Sequence, residues 1–158
     1  MVNAELTVAA IIERNGRFLM VEERVADRTV LNQPAGHVEP GETLVQAVIR
    51  ETQEESAWAF TPNACTGVYL WQGDPKNKGR PHILRSVFCG DCDQHDPEQD
   101  LDDGILATHW LSQEQLMQNP EKLRSPMVLK TIEDYLAGQR HALDLFHMLN
   151  ADVSQKPQ

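Results

Sequence analysis

Glu51, Glu54 and Glu55 crowd the end of the segment QPAGHVEPGETLVQAVIRETQEES, which runs from Gln33 to Ser56. At ~100° per residue of an α-helix they share a sector with Leu44, Ala47 and Val48. The stripe therefore turns from apolar to anionic without leaving its face. Carboxylates this close raise one another's pKa values and cost stability, and Arg50 is the one base inside the cluster. An acidic helix end is ordinarily a solvated one. Here the acids continue a face that begins by pointing inward, which demands a counter-charge. A hard divalent cation, Mg2+ with Mn2+ as its substitute, would supply it, because such ions take clustered carboxylate oxygens plus water and then engage phosphate.

These residues need a scaffold. A chain of 158 residues, 41% hydrophobic and 24% charged, has the make-up of one globular domain around one sizeable core. The formal net charge of −10 disfavours nucleic-acid polymers and anionic membranes as partners. A small phosphorylated substrate stays open if a cation bridges it. No apolar run approaches the ~20 residues of a membrane span, and no basic region precedes the first apolar segment. A cytoplasmic protein is expected, as monomer or homodimer. Cys65, Cys89 and Cys92 are too few for a disulfide framework. Cys89-Gly-Asp-Cys92 matches C-x-x-C, yet a second ligand pair for zinc is missing and the motif reads as the end of a strand. Buried or incidental thiols are expected instead.

Leu6 to Glu13 and Arg17 to Glu23 read as two antiparallel strands joined by Asn15-Gly16, a strong hairpin signal. Arg24 to Arg28 reads as a loop, and Val30-Leu31 as a short strand. Pro34, Gly36, Pro40 and Gly41 predict irregular chain up to Thr43. Thr43 with Gln46 forms a capping box, which predicts a helix to about Ala57. Gly67 to Gln72 and His82 to Cys89 read as strands around a basic loop, Asp91 to Asp103 as an acidic loop, and Ile105 to Leu111 as another strand. Ser112 caps a short helix. Ser125-Pro126 opens a last helix that stops near Gly138. The mixture predicts a single sheet covered by helices, in the α/β or α+β class. The residues from Asn150 are expected to form a disordered tail.

Gly36, Glu42 and Arg50-Glu51-Thr52-Gln53-Glu54-Glu55 together resemble the Nudix box, G-x5-E-x7-R-E-U-x-E-E-x-G-U, where U is apolar. Thr52 stands where an aliphatic residue is usual. Ala57 stands where glycine is usual, so a longer or differently ended helix is expected. Asn32 to His37 before the box, and Leu123-Arg124-Ser125-Pro126 through Gly138-Gln139-Arg140 after it, look like the NudJ-type Nudix phosphatases. The resemblance implies the Nudix α/β/α sandwich, with a mixed β-sheet and a loop–helix–loop box, in a single domain over residues 1–149.

It also implies an activity: hydrolysis of phosphoanhydride bonds in nucleoside tri- and diphosphates or related pyrophosphates, thiamine-pathway pyrophosphates included, by attack of a metal-activated water on phosphorus. Glu51, Glu54 and Glu55 would bind the metal with help from the Gly36 carbonyl. Arg50 would orient the glutamates, Glu42 would support the loop or an outer-sphere metal, and Glu51 or Glu54 would take the water's proton. An acid from a loop outside the box is often recruited, and Asp102 or Asp103 is the candidate, against the reading of a solvated acidic loop. Arg85 on a strand is the foremost candidate for phosphate binding, with Lys76, Lys78 and Arg80 in the loop before it. Gln33 and Trp71 are candidate substrate contacts, Trp71 by stacking, although burial is the commoner fate of tryptophan. His37 reads as structural. The alternative is a catalytically silent Nudix module that binds a nucleotide as sensor or scaffold.

Overall fold

From Val8 to Ile12 every residue is apolar, the pattern of a strand buried on both faces. The computed structural model, which describes residues 1–76 and 79–149, bears this out. Strand β1 (Ala4–Ile11) lies inside a mixed four-stranded sheet with β5 (Ala35–His37), β6 (Trp58–Trp71) and β7 (His82–His95), in the order β5-β1-β7-β6. β1 runs parallel to β7 and antiparallel to β5, and β6 is antiparallel to β7. A second sheet is built on β3 (Arg17–Val25), which pairs antiparallel with β2 (Glu13–Arg14), β4 (Arg28–Asn32) and β8 (Ile105–Leu111). The expected single sheet is therefore two.

The division falls at Ile12. Asn15 and Gly16 adopt positive φ angles of 52° and 73°, as their hairpin signal predicts. The hairpin joins only β2 to β3, however, while β1 has already turned away to pair with β7. Local turn chemistry specified the bend but not the partner of the strand before it. Three further differences share that cause. Ala26, at φ 55°, closes a tight turn that lets β3 reach Val25 and β4 start at Arg28 where a loop was expected. Ala35 to His37 form β5 because β1 offers a free edge. β6 and β7 make one long ladder from Trp58↔His95 to Trp71↔Ile83, accommodated by bulges, which absorbs the start of the expected acidic loop.

Helices cover both faces of the mixed sheet. α1 (Leu44–Ser56) sets Ala47 and Val48 against Val8, Ala10, Leu19 and Phe88. On the opposite face α2 (Gln113–Gln118) and α3 (Met127–Leu136) set Leu116, Val128 and Ile132 against Ala9, Ile11, Met20 and Val87. Val128 and Ile132 are fully buried, each worth about 1.5–3 kcal/mol of apolar burial. This is the expected α/β/α layering. Arg14 ties the two sheets at one end: its guanidinium lies 4.8 Å from the Trp58 ring centre and 5.0 Å from that of Trp110, and Nη2 donates to the Cys92 carbonyl at 2.8 Å. All three cysteines are free and buried. Cys89 belongs to the core under α3 and Cys92 to the core under α1. A disulfide between opposite sheet faces is excluded by geometry.

The capping signals are realised. Thr43 Oγ1 accepts from the Gln46 N–H at 3.1 Å, and Gln46 Oε1 accepts from the Thr43 N–H at 2.9 Å. Ser112 and Gln115 repeat the pattern at α2. Ser125 Oγ accepts from the Met127 N–H at 3.3 Å, and α3 ends before Gly138 at φ 88°. Lys78 and the residues from Asn150 lie outside the described residues. Because α1 carries the acids, its first turn can be tested apart from them. Thr43→Ala should cost about 1 kcal/mol, lowering Tm by roughly 2–4 °C in a thermal melt followed by circular dichroism, with helix content at low temperature unchanged.

Candidate active site

Arg50 is the hinge of the acidic face. Its Nε donates to Glu42 Oε1 at 2.6 Å and its Nη2 to Glu42 Oε2 at 3.0 Å. Nη1 donates to Glu51 Oε1 and to Glu54 Oε2, both at 2.9 Å, and Nη2 reaches the His37 carbonyl at 2.9 Å. Glu42 also accepts from the Glu39 N–H at 3.0 Å, so the loop before α1 is pinned to the helix it introduces. The Arg50 hydrogen bond holds the Glu42 carboxyl below the usual carboxylate range, and Arg50 in turn is raised, chiefly by Glu42. His37 is exposed, and beyond lending its carbonyl it faces Glu5 at 2.8 Å.

Glu51, Glu54 and Asp102 each offer a carboxylate oxygen within 4.8 Å of the others. The backbone brings the loop to the helix, since the Asp102 N–H donates to the Glu54 carbonyl at 3.0 Å. The loop acid of this group is thus Asp102; Asp103, the other candidate, lies outside it. The chain then turns into β8 through Gly104, at φ 87°, with the Ile105 N–H donating to the Asp102 carbonyl at 3.0 Å. Burial pushes the Glu51 carboxyl up, against the pull of Arg50. Glu55 lies deeper: Oε2 accepts from the Ala35 N–H at 3.0 Å, and burial, reinforced by Glu23, Glu51 and Asp102, pushes its pKa up to about 8. An all-oxygen set of crowded carboxylates fits a hard divalent cation. Gly36 is the cradle for it, because a Cβ built there would overlap the Glu51 carboxylate. β5 places this glycine by pairing Gly36 with Val8.

The helix tolerates both departures from the box. Thr52 is fully buried and its hydroxyl donates to the Val48 carbonyl at 2.7 Å, so only its methyl meets the core. Ala57 ends the helix in the left-handed conformation, φ 58° and ψ 18°. The expectation of a longer helix is corrected: alanine takes the conformation that suits glycine, at a cost of about 1 kcal/mol.

The remaining candidates are spread over the α3 face. Arg85 is 6% exposed, donates from Nε to Thr7 Oγ1 at 3.2 Å, and leaves Nη1 without a partner among the described residues. Burial, then Arg124, lowers its pKa to about 10. Trp71 is half-buried beside a cleft of about 500 Å³ that Leu123, Arg124, Ser125 and Leu129 also line. Gln33 is 1% exposed and its amide nitrogen donates to Thr131 Oγ1 at 2.8 Å and the Val128 carbonyl at 3.3 Å, which fastens the chain before β5 to α3, while its Oε1 has no partner among the described residues. Lys76 and Arg80 are exposed on their loop. Glu23 and Arg124 were not singled out from the sequence. Glu23 stands at an ordinary strand position, and Arg124 gains meaning only through the distant chain it meets.

The NUDIX domain family profile matches residues 4–131. "Phosphatase NudJ" of Escherichia coli (strain K12) is 35% identical over 150 residues, covering 95% of both chains. A solved NUDIX hydrolase from Nitrosomonas europaea is 38% identical with a TM-score of 0.88, covering 94% of this chain and 99% of that one. The solution structure of the E. coli ORF135 protein is 28% identical with a TM-score of 0.67, covering 86% of this chain and 91% of that one. A box filled at every charged position, folded into a helix whose arginine gathers its acids, and a family match across most of the chain lead to one conclusion: this protein belongs to the Nudix family, as an enzyme of the pyrophosphohydrolase and phosphatase kind.

Proposed function

We propose that the protein hydrolyses phosphoanhydride bonds in nucleoside tri- and diphosphates or related pyrophosphates, among them thiamine-pathway pyrophosphates, using Mg2+ or Mn2+ held by Glu51, Glu54 and Asp102 with Glu55 behind them. The observation that carries this reading is the convergence of three carboxylates beside a glycine whose missing side chain makes room for one of them. The phosphatase named among its relatives supports the same reaction class. We place the enzyme in the cytoplasm, as a monomer or homodimer acting on small phosphorylated molecules.

The cation, when bound, neutralises phosphate oxygens and lowers the pKa of the attacking water. The chain does the rest. Arg50 fixes the Glu51 and Glu54 carboxylates in place, so no reorganisation is needed when substrate arrives. Glu51 or Glu54 accepts the water's proton, the former from a site where burial has raised its basicity. Arg85 offers its Nη1, unpaired among the described residues, to a phosphate oxygen.

Turnover should require Mg2+ or Mn2+ and vanish in excess chelator, while Glu54→Gln should lose on the order of 10²–10⁴ in kcat without a change in its circular dichroism. Phosphate release at wild-type rate in chelator would refute the metal reading. Gly36→Ala should displace Glu51 and weaken the cation, so that the divalent-ion concentration for half-maximal activity rises while Tm barely moves; an unaltered metal titration would refute the cradle.

Glu55 carries a pH signature. Its folded pKa of about 8 stands above the unfolded value, so the proton it retains stabilises the metal-free fold at acid pH, and that contribution is lost as pH rises through about 8. The Tm of metal-free protein should therefore fall between about pH 5 and pH 8, with a shallower fall in Glu55→Gln. Identical slopes in the two proteins would show that Glu55 is not the source.

A further inference from the structure

Arg124 is exposed at the surface, yet it lines the cleft beside Trp71. Tyr69, Arg85 and Thr7 form one row across β6, β7 and β1, and Trp71 stands one row further on the same face. Arg85 thus stands one row inward of Trp71, behind the cleft rather than in its lining, and it is buried with one guanidinium nitrogen unpaired among the described residues. Arg124 lines that cleft together with Trp71, as do Lys130, Glu121 and Glu133. Its backbone is pinned to β4, the Arg124 N–H donating to the Leu31 carbonyl at 2.8 Å. Among the described residues its guanidinium is ion-paired with Glu23, at 3.6 Å from Nε, and the Glu23 oxygen concerned makes no hydrogen bond there. Both arginines thus border Trp71, one from the next row of the sheet and one within the cleft, and burial first, then the charge of Arg124, disfavours the charge of Arg85.

Two like charges are costly side by side, and a buried guanidinium without a full complement of acceptors is costlier. An anion between them would relieve both penalties, and guanidinium forks suit phosphate oxygens. We propose that Arg124 is a substrate-binding residue that forms with Arg85 a paired guanidinium seat for a phosphoryl group, the organic part of the substrate lying against Trp71. Charge orders the cleft. The Arg85 row lies between that of Trp71 and that of Val87, Ala9 and Ala35, whose Ala35 N–H is held by Glu55, so Arg85 stands between the Trp71 wall and the carboxylates. The seat takes the phosphoryl group next to the organic part, and the carboxylate end takes the one beyond. This rests on the phosphoanhydride reading of the same site.

The test uses the full chain. Arg124→Gln and Arg124→Lys are compared with wild type in two assays: KM and kcat on the best phosphoanhydride substrate, and tryptophan-fluorescence titration with inorganic pyrophosphate in chelator at low salt, where no turnover occurs. Arg124→Gln should raise KM and the pyrophosphate dissociation constant about 10- to 100-fold, with kcat within a few-fold, and Arg124→Lys should fall between. Arg124→Gln with unchanged KM and unchanged titration overturns the seat and leaves the reaction intact. Arg124-dependent pyrophosphate binding by a protein that cleaves no phosphoanhydride under any divalent cation keeps the seat and overturns the reaction. If Arg124→Gln unfolds, Arg124→Lys decides alone: wild-type values in both assays overturn the proposal, since a retained charge without the fork would then suffice.

Discussion

The repulsion among carboxylates on the last turns of α1, and the single guanidinium set against it, govern what the rest of the fold must provide. Arg50 faces Glu42, Glu51 and Glu54 together and still reaches a backbone carbonyl in the preceding loop. One base cannot neutralise so many acids. It can fix where they point, which leaves the uncompensated charge concentrated on the side away from the guanidinium. Glu55 meets the same constraint differently, by burial and a proton.

The surrounding architecture follows from holding that arrangement still. β5 exists because β1 lends it an edge, and through it Gly36 is carried beneath Glu51 and Ala35 beneath Glu55. β1 can do this only because both of its faces are buried, one under α1 and one under α3. The separation of β1 from β2 at Ile12 then sets Arg85, on the sheet of β1, and Glu23, on that of β3, in different sheets, with Arg124 beside Glu23 at 3.6 Å. Positive charge is sparse in this acidic chain, yet Arg124 and Lys130 line the cleft beside Trp71, with Glu121 and Glu133, and Arg85 is buried one row behind it.

What the sequence showed and what it hid divide by range. The capping box, the acidic stripe, the box spacing and the Asn15-Gly16 turn are written in residues a few positions apart, and each was legible. Arg85 was legible too, because a charge inside an apolar strand must find a reason to face inward. The partition into two sheets was hidden, since a hairpin signal says nothing of what the preceding strand will pair with. Between Asp102 and Asp103 the choice depends on a backbone hydrogen bond to Glu54, which no local pattern records. The bond from Gln33 to α3 was hidden likewise. Arg124 was hidden most completely, for its neighbours Glu23, Arg85 and Leu31 come from three separate strands.

The thiols look like bystanders, and their placement makes them useful as built-in gauges. Cys89 is sealed beneath α3, Cys65 and Cys92 beneath α1, and burial raises the pKa of the latter two, so none reacts while its layer is shut. Each side of the sandwich therefore carries its own chemical clock. The rate at which an alkylating reagent finds Cys89 times the lifting of one layer, and the rate at which it finds Cys65 times the lifting of the other, so the breathing of the two halves can be read separately in a single unmodified chain.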